Sequence, residues 1–527
     1  MFVRKKPNKS GKVSVQVVRK SSDRRQQVVK TIGCGNDAET IERLVAEGRE
    51  YIERCKGPIF PGFDNEENEI DRFVSSLTNA QIQIIGPELV FGRLYDKIGY
   101  NAIKDEMFRH MVICRLFNPG SKLKTVDYLQ RYLHVTYDIN KVYRFLDNLC
   151  YRKRDEKGDK AKGKRKECRD YKSMVEQISY DYTKRVVGGN ISVCFYDMTT
   201  LYWEAAEEDD LRKCGFSKDG KHSCPQIFLG LLVAAGGNPI GYEIYEGNIS
   251  EGRTIIPMVK SLASRFGFEK PIVVADAGLL SKSNIEALKE DGIQFILGAR
   301  PKSETSEIKE GILALNMKYG DVRELTRDDD VRLVLSCSEK RAKKDSFNRK
   351  KGLERLQKRL GSGNLTKQHI NNRGYNKYLK MEGNVKISID MEKYDADAAW
   401  DGIKGYVANT SLSKEEVIEN YGNLWYIERA FRFNKFDLAV RPIYHRLRNR
   451  IEGHICICFT SYTIILELER ILKAAKVEMT IYRAQELTKN MYAISYTHQM
   501  SQTRRRVILG MDKEQSLLCE LVEKATR

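Results

Sequence analysis

The sequence predicts an α/β protein whose core is a mixed sheet flanked by helices. Three observations predict it. From residue 190 onward, near-continuous apolar runs give three strands, then a helix, a strand, a helix and a strand. Two of those runs, ISVCFYD and PIVVADAG, are near-continuously apolar, which suits buried strands in the middle of a sheet. Before and after this region the pattern is helical, with short amphipathic stretches and tight turns.

The 527 residues exceed what one compact core takes in, and two to four domains are expected. With 41% hydrophobic and 31% charged residues the chain is globular and not disordered. No apolar run approaches membrane-spanning length, so no membrane partner is expected. The start, MFVRKKPNKSGKVSVQ, is charged without an apolar export segment, and a cytoplasmic location is expected. Lys plus Arg exceeds Asp plus Glu by 19, which suggests a polyanionic partner, nucleic acid foremost. Twelve cysteines are scattered along the chain; Cys214, His222 and Cys224 lack the spacing of a zinc site, and all are read as reduced thiols.

In chain order, residues 1–75 read as a basic β-hairpin (VSVQVV and QVVKTIG), a helix near 40–55 and a linker, KGPIFPGFDNEENE. Residues 76–188 are helical, broken at Asn118-Pro119-Gly120, with Ser121 and Asp138 placed as N-caps. Interspersed Lys, Arg and Tyr suit a helix-turn-helix-like DNA-binding region, and 152–172 form a basic loop that could lie along phosphates. Residues 189–300 carry the first part of the core. There one buried strand ends in Asp197, QIFLGLLVAAGG and NPIGYEIYEGN form a hairpin, and a second buried strand ends in Asp276. Residues 301–402 read as a largely β insertion around a highly basic helix. Residues 403–470 return to the sheet through IKGYVANT and then form a long helix, with Ser413 and Glu416 as its capping box. Pro442 ends it, and a strongly apolar helix follows over 447–474. Residues 471–527 are read as a helical C-terminal region containing Arg504, Arg505 and Arg506.

The chemistry is carried by three carboxylates. On a continuous helix at about 100° per residue, Tyr421, Glu428, Arg432 and Lys435 share one narrow wedge. Leu424, Ile427, Phe431 and Leu438 form the adjoining apolar stripe, which sets Glu428 at the margin of a buried face. Strand ends at one edge of an α/β sheet are where ligands bind, and Asp197 and Asp276 stand there. Carboxylates so placed can bridge two Mg²⁺ ions about 4 Å apart, which activate a water or a 3′-hydroxyl and ease departure of the leaving oxygen. Such hard cations take oxygen ligands, so neither His nor Cys is needed.

These residues resemble bacterial insertion-sequence transposases of the DDE class, specifically the insertion-sequence-four superfamily. Its helix motif reads Tyr, two residues, Arg, three residues, Glu, six residues, Lys; Tyr421, Leu424, Glu428 and Lys435 stand at that spacing. YDMTTLYWE around Asp197 and VVADAGLLS around Asp276 look like its two Asp blocks, and a long β insertion before the Glu is also characteristic. The resemblance covers residues 191–469 well and the N-terminal part more loosely. It implies an RNase H-like catalytic core and cut-and-paste transposition with two Mg²⁺ (or Mn²⁺) ions held by Asp197, Asp276 and Glu428. It also implies double-stranded DNA as partner, both the element's terminal inverted repeats and the target, with a homodimer in the synaptic complex. Tyr421 and Lys435 would contact DNA near the cleaved phosphate, with Arg432, Arg441 and His445 placed beside them. Of the tryptophans, Trp203, Trp400 and Trp425, one could stack on a flipped base, although a packed indole is the commoner role.

Leu424 stands where the motif has Arg, and Arg432 is the candidate substitute. Two other readings stay open: a nuclease of the same fold that cuts DNA without strand transfer, and a DNA-binding regulator without chemistry, for which Leu424 is the support.

Overall fold

The computed structural model describes residues 1–8, 11–20, 26–56, 59–60, 74–78, 81–150, 170–204, 207–217, 220–267, 271–328, 330–362, 365–371, 374–382, 386–436, 438, 440, 443–498 and 502–527. Of the basic loop expected over 152–172, residues 152–169 lie outside the described residues, as does most of the linker around 56–69, while 171–172 already belong to a helix capped by Asp170. The chain divides into two compact units, Met1–Asn148 with Ile464–Arg527, and Leu149–Thr463.

The first unit opens with three strands, β1 (Phe2–Pro7), β2 (Val13–Lys20) and β3 (Gln26–Gly35), in an antiparallel sheet. The sequence reading had only the β2–β3 hairpin; the charges of FVRKKP hid the first strand. Val15, Val17 and Val18 are buried, and helix α1 (Ala38–Lys56) contributes the buried Leu44 and Ile52. Beyond β4 (Ile59–Phe60) and β5 (Ile82–Ile84), helices α2 (Glu106–Phe117), α3 (Lys122–Leu133) and α4 (Ile139–Asp147) follow. Ser121 accepts from the Lys124 N–H at 3.2 Å and Asp138 from the Asn140 N–H at 2.6 Å, so both expected caps are in place.

The second unit holds the core. Helix α5 (Tyr171–Val186) precedes three antiparallel strands, β6 (Val193–Tyr202), β7 (Gln226–Ala234) and β8 (Pro239–Glu246). Helix α6 (Ile255–Phe266), strand β9 (Ile272–Ala275), helix α7 (Lys282–Glu290) and strand β10 (Phe295–Ala299) follow. β9 runs parallel to β6, and β10 parallel to β9. Across β8, β7, β6, β9 and β10 the order is third, second, first, fourth, fifth, the arrangement of an RNase H-like core. Every residue of β7 and β9 is buried, as a sheet covered on both faces requires.

Helix α8 (Ser306–Ala314) leads to β11 (Val322–Asp328) and β12 (Val331–Cys337), and then to the basic helix α9 (Glu339–Gly361). A small hairpin, β13 (Leu379–Glu382) with β14 (Lys386–Ile389), precedes β15 (Ile403–Ala408). β15 returns to the core antiparallel to β10, as expected from IKGYVANT. Two strands of the 301–402 stretch do not stand apart from the core. β12 pairs with β15 and β11 with β12, which widens the sheet to eight strands. The inward side chains of VRLVLSC are apolar enough to join the main core, where Val331, Leu333 and Leu335 are buried.

The expected single long helix is two helices, α10 (Lys414–Gly422) and α11 (Trp425–Phe436). Gly422 ends the first, and tight turns carry the chain across: Leu424 N–H donates to the Tyr421 carbonyl and Tyr426 N–H to Asn423, each at 3.0–3.1 Å. The capping box of Ser413 and Glu416 is formed as expected. Helix α12 (Arg448–Ala474) begins where the apolar pattern placed it.

The last stretch belongs to the first unit and is not all helical. Helix α13 (Ile481–Thr488) is followed by the hairpin β16 (Tyr492–His498) and β17 (Arg504–Ile508), then by α14 (Lys513–Thr526). β16 also pairs with β5 and β4, strands from the opposite end of the chain, and such pairing leaves only a weak local alternation in the sequence.

Candidate active site

β6 and β9 set the first two carboxylates side by side. Their parallel register pairs Phe195 with Val274 and Tyr196 with Ala275, so the next step brings Asp197 level with Asp276. Neighbouring strands lie about 4.8 Å apart, which makes these two backbones near neighbours. The alternation of β6 fixes the face. Cys194, Tyr196 and Met198 enter the core on one side, while Phe195, two residues before Asp197, meets Tyr426 of α11 edge-on with ring centroids 6.0 Å apart. Asp197 therefore shares the face of the sheet that α11 covers. Asp197 is half-buried and Asp276 is exposed at the strand end. Each accepts a 2.7 Å hydrogen bond from the next backbone N–H, Met198 and Ala277 respectively.

Tyr421 joins the second Asp to the helical segment. Its hydroxyl donates to Asp276 Oδ1 at 3.2 Å, its ring meets Tyr406 edge-on at 4.9 Å, and the Lys404 ammonium sits 4.5 Å above that ring. Burial pushes the phenol above the usual tyrosine range, and the charge of Asp276, its hydrogen bond and, more weakly, Glu428 push the same way. Lys404 is pulled below the usual lysine range by burial and by Arg341, while Asp276 opposes that shift. An added Cβ at Gly298 on β10 would lie 2.4 Å from the Tyr421 hydroxyl, so only glycine leaves room for this hydrogen bond.

Glu428 is exposed on α11, and no hydrogen bond or ion pair holds its carboxylate among the described residues. Arg432, one turn further on, is exposed; Lys435 is half-buried. Arg441 lies outside the described residues. His445 is half-buried, with its ring 5.9 Å from that of His454, and its carbonyl accepts the Trp203 indole N–H at 3.0 Å. Trp203 is thus a packed indole that ties the end of β6 to the segment before α12. Trp425 is 46% exposed, beside Tyr426 and under Arg429. Tyr421, expected at DNA, is 8% exposed with its hydroxyl turned to Asp276. Leu424 is equally buried at the break between the helices, where an arginine would have to bury its charge.

Among the described residues, no group of three or more His, Cys, Asp or Glu stands close enough to hold a metal ion. At Cys214, His222 and Cys224, the Cys214 thiol turns to the Ser223 carbonyl and His222 accepts the Ser217 N–H. The donor chemistry of Asp197, Asp276 and Glu428 nonetheless fits a hard divalent cation, being all oxygen with two of the three side chains exposed.

Sequence reasoning missed Gly298 and Lys404. A glycine inside the strand IQFILG and a lysine inside IKGYVANT were the available signals, since each breaks an apolar run.

An RNase H-like sheet with carboxylates on its two central parallel strands defines the class. A family model described as the transposase DDE domain matches residues 189–464, just over half of the 527-residue chain, and the chain belongs to that family. No curated protein matches it. Among solved structures, a piggyBac transposase in a synaptic complex with hairpin DNA aligns over 77% of this chain and 79% of its own, at 9% identity and a TM-score of 0.37. Among the described residues no helix is long and apolar enough to cross a membrane.

Proposed function

We propose that this chain is a DNA transposase of the insertion-sequence-four superfamily that moves a bacterial insertion sequence by cut-and-paste. It would cleave DNA at the element's terminal inverted repeats and join the freed 3′-hydroxyls to target DNA, working as a homodimer at the nucleoid. The observation that carries this reading is the level placement of Asp197 and Asp276 on adjacent parallel strands, with Tyr421 tying Asp276 to the segment that bears Glu428. Asp197, Asp276 and Glu428 would hold Mg²⁺ or Mn²⁺, which supplies charge stabilisation for the attacking and leaving oxygens of the phosphodiester. The protein's own contribution is positional. Tyr421 holds one carboxylate oxygen of Asp276 by a neutral donor and leaves its charge intact. Arg432, Lys435, Arg441 and His445 would bind the DNA backbone.

Strand cleavage and strand transfer are measured with a DNA carrying the element ends. Alanine at Asp276 should abolish both and leave DNA binding largely intact. Retained cleavage would sink the proposal. Cleavage by the wild-type chain without joined product would instead identify a nuclease of the same fold.

A further inference from the structure

The basic helix Glu339–Gly361 is fastened along one side and bare along another. Ser338 N–H donates to the Gly402 carbonyl at 3.1 Å, and Gly402 N–H donates to Asp345 at 3.3 Å. Arg349 is paired with Asp401. Further along, Leu356 packs in a small core with Tyr378 and Leu379, and Gly352 lies so close to the Tyr375 ring that a Cβ would overlap it. These contacts fix the helix along more than three turns, so its outward side chains stand at set positions.

Lys340, Lys344, Lys351, Arg355 and Lys358 are all exposed. At about 100° per residue they fall within a wedge of about 60° that runs for about 27 Å along the helix. None of the five has a counter-ion within ion-pair distance among the described residues. Of the helix's acids, Glu339 and Asp345 lie on other faces and are engaged by Lys343 and Arg341, while the exposed Glu354 flanks the stripe about 40° from its edge and leaves it with a clear positive excess. An array of like charges on a rigid helix repels itself, and it is relieved by an extended polyanion. The length of the stripe equals about eight phosphate steps along one strand of a duplex.

Its N-terminal end points to the site. Gly402, to which the helix start is tied, lies two residues before Lys404, the lysine stacked on Tyr421. Arg341, in the first turn, is near enough to Lys404 and Tyr406 to shift both.

We infer that the stripe Lys340–Lys344–Lys351–Arg355–Lys358 is a phosphate track that holds duplex DNA, independently of base sequence, leading away from the carboxylate site. The choice of DNA as the polyanion rests on the transposase reading. The test is the full-length chain's affinity for a 30-base-pair duplex of random sequence, measured across a series of salt concentrations. The variant is Lys351→Gln with Arg355→Gln and Lys358→Gln; the control is Lys343→Gln with Lys350→Gln, the same charge type on another face of the same helix. The expected result is a salt slope (log affinity against log salt) shallower by about 2.7 in the triple variant, at about 0.9 per lost phosphate contact, with the control near wild type and both melting as wild type. An unchanged slope in the triple variant, or an equal loss per charge in the control, overturns the track while the transposase reading stands. No salt-dependent binding by the wild-type chain would overturn both.

Discussion

The Tyr421 hydroxyl donates to Asp276 Oδ1 across 3.2 Å, although 145 residues separate the two in the chain. This bond orients the exposed carboxylate at the end of β9 from the buried end of α10. Tyr421→Phe keeps the ring against Tyr406 and under Lys404 and removes only the donor. A hydrogen bond to a charged group contributes about 1.5–3 kcal/mol, so strand cleavage should fall by about tenfold or more, with melting and DNA binding near wild type. An unchanged cleavage rate would show that Asp276 is positioned without Tyr421. Because the folded-state pKa of the phenol is raised, its proton and this bond are present below about pH 10 and lost only as pH rises beyond the usual tyrosine range. The deficit of the Phe variant should therefore stay constant between pH 7 and 9.

Gly298→Ala tests the same bond from the opposite strand. The new Cβ would meet the Tyr421 hydroxyl at 2.4 Å and displace it. The cleavage deficit should be at least that of Tyr421→Phe, because the Cβ also comes within 3.0 Å of the Ala277 nitrogen that donates to Asp276. Combining the two should give less than the sum, since both remove the Tyr421 bond. Additive losses in the double variant would mean that Gly298 acts through something other than Tyr421.

Asp397 anchors the 301–402 stretch by accepting from Lys302 at 2.7 Å, Lys377 at 2.9 Å and the Tyr378 hydroxyl at 2.6 Å. Burial would raise its pKa, yet these three donors hold it down at about 2. Its folded-state pKa is depressed, so its contribution to stability is present above about pH 4 and lost as pH falls toward 2. Asp397→Asn should lower the melting temperature at pH 7, and the gap to wild type should narrow between pH 4 and 2. A gap that does not narrow contradicts the charge pairing.

Glu176 of α5 caps the edge of the sheet. Fully buried, it accepts the Tyr242 N–H at 3.0 Å and pairs with Arg265 at 2.6 Å. Glu176→Ala strands that N–H and leaves Arg265 without its closest partner, which should cost about 3–5 kcal/mol in denaturant unfolding. A loss under about 1 kcal/mol would mean that water or Glu243 replaces it.

Much of the core was legible in the sequence, because strands buried on both faces leave apolar runs with no other reading, and the terminal aspartates of ISVCFYD and PIVVAD stand out against them. The Ser413 capping box and the caps at Ser121 and Asp138 were legible because they are local. What was not legible depends on contacts distant in the chain. The pairing of β16 with β5 and the addition of β11 and β12 to the main sheet are set by partners hundreds or scores of residues away. The break at Asn423 and Leu424 removes the single wedge read across Tyr421 and Glu428, and Tyr421, in the helix before it, turns its hydroxyl to Asp276.

The most direct test of the central claim counts Mn²⁺ bound to the full-length chain in the presence of a DNA end, by electron paramagnetic resonance titration of the free ion. Two ions are expected for the wild-type chain, with binding weakened in each of Asp197→Asn, Asp276→Asn and Glu428→Gln while DNA affinity holds. Two ions bound with wild-type affinity in Glu428→Gln would contradict it and leave the third carboxylate to be found elsewhere.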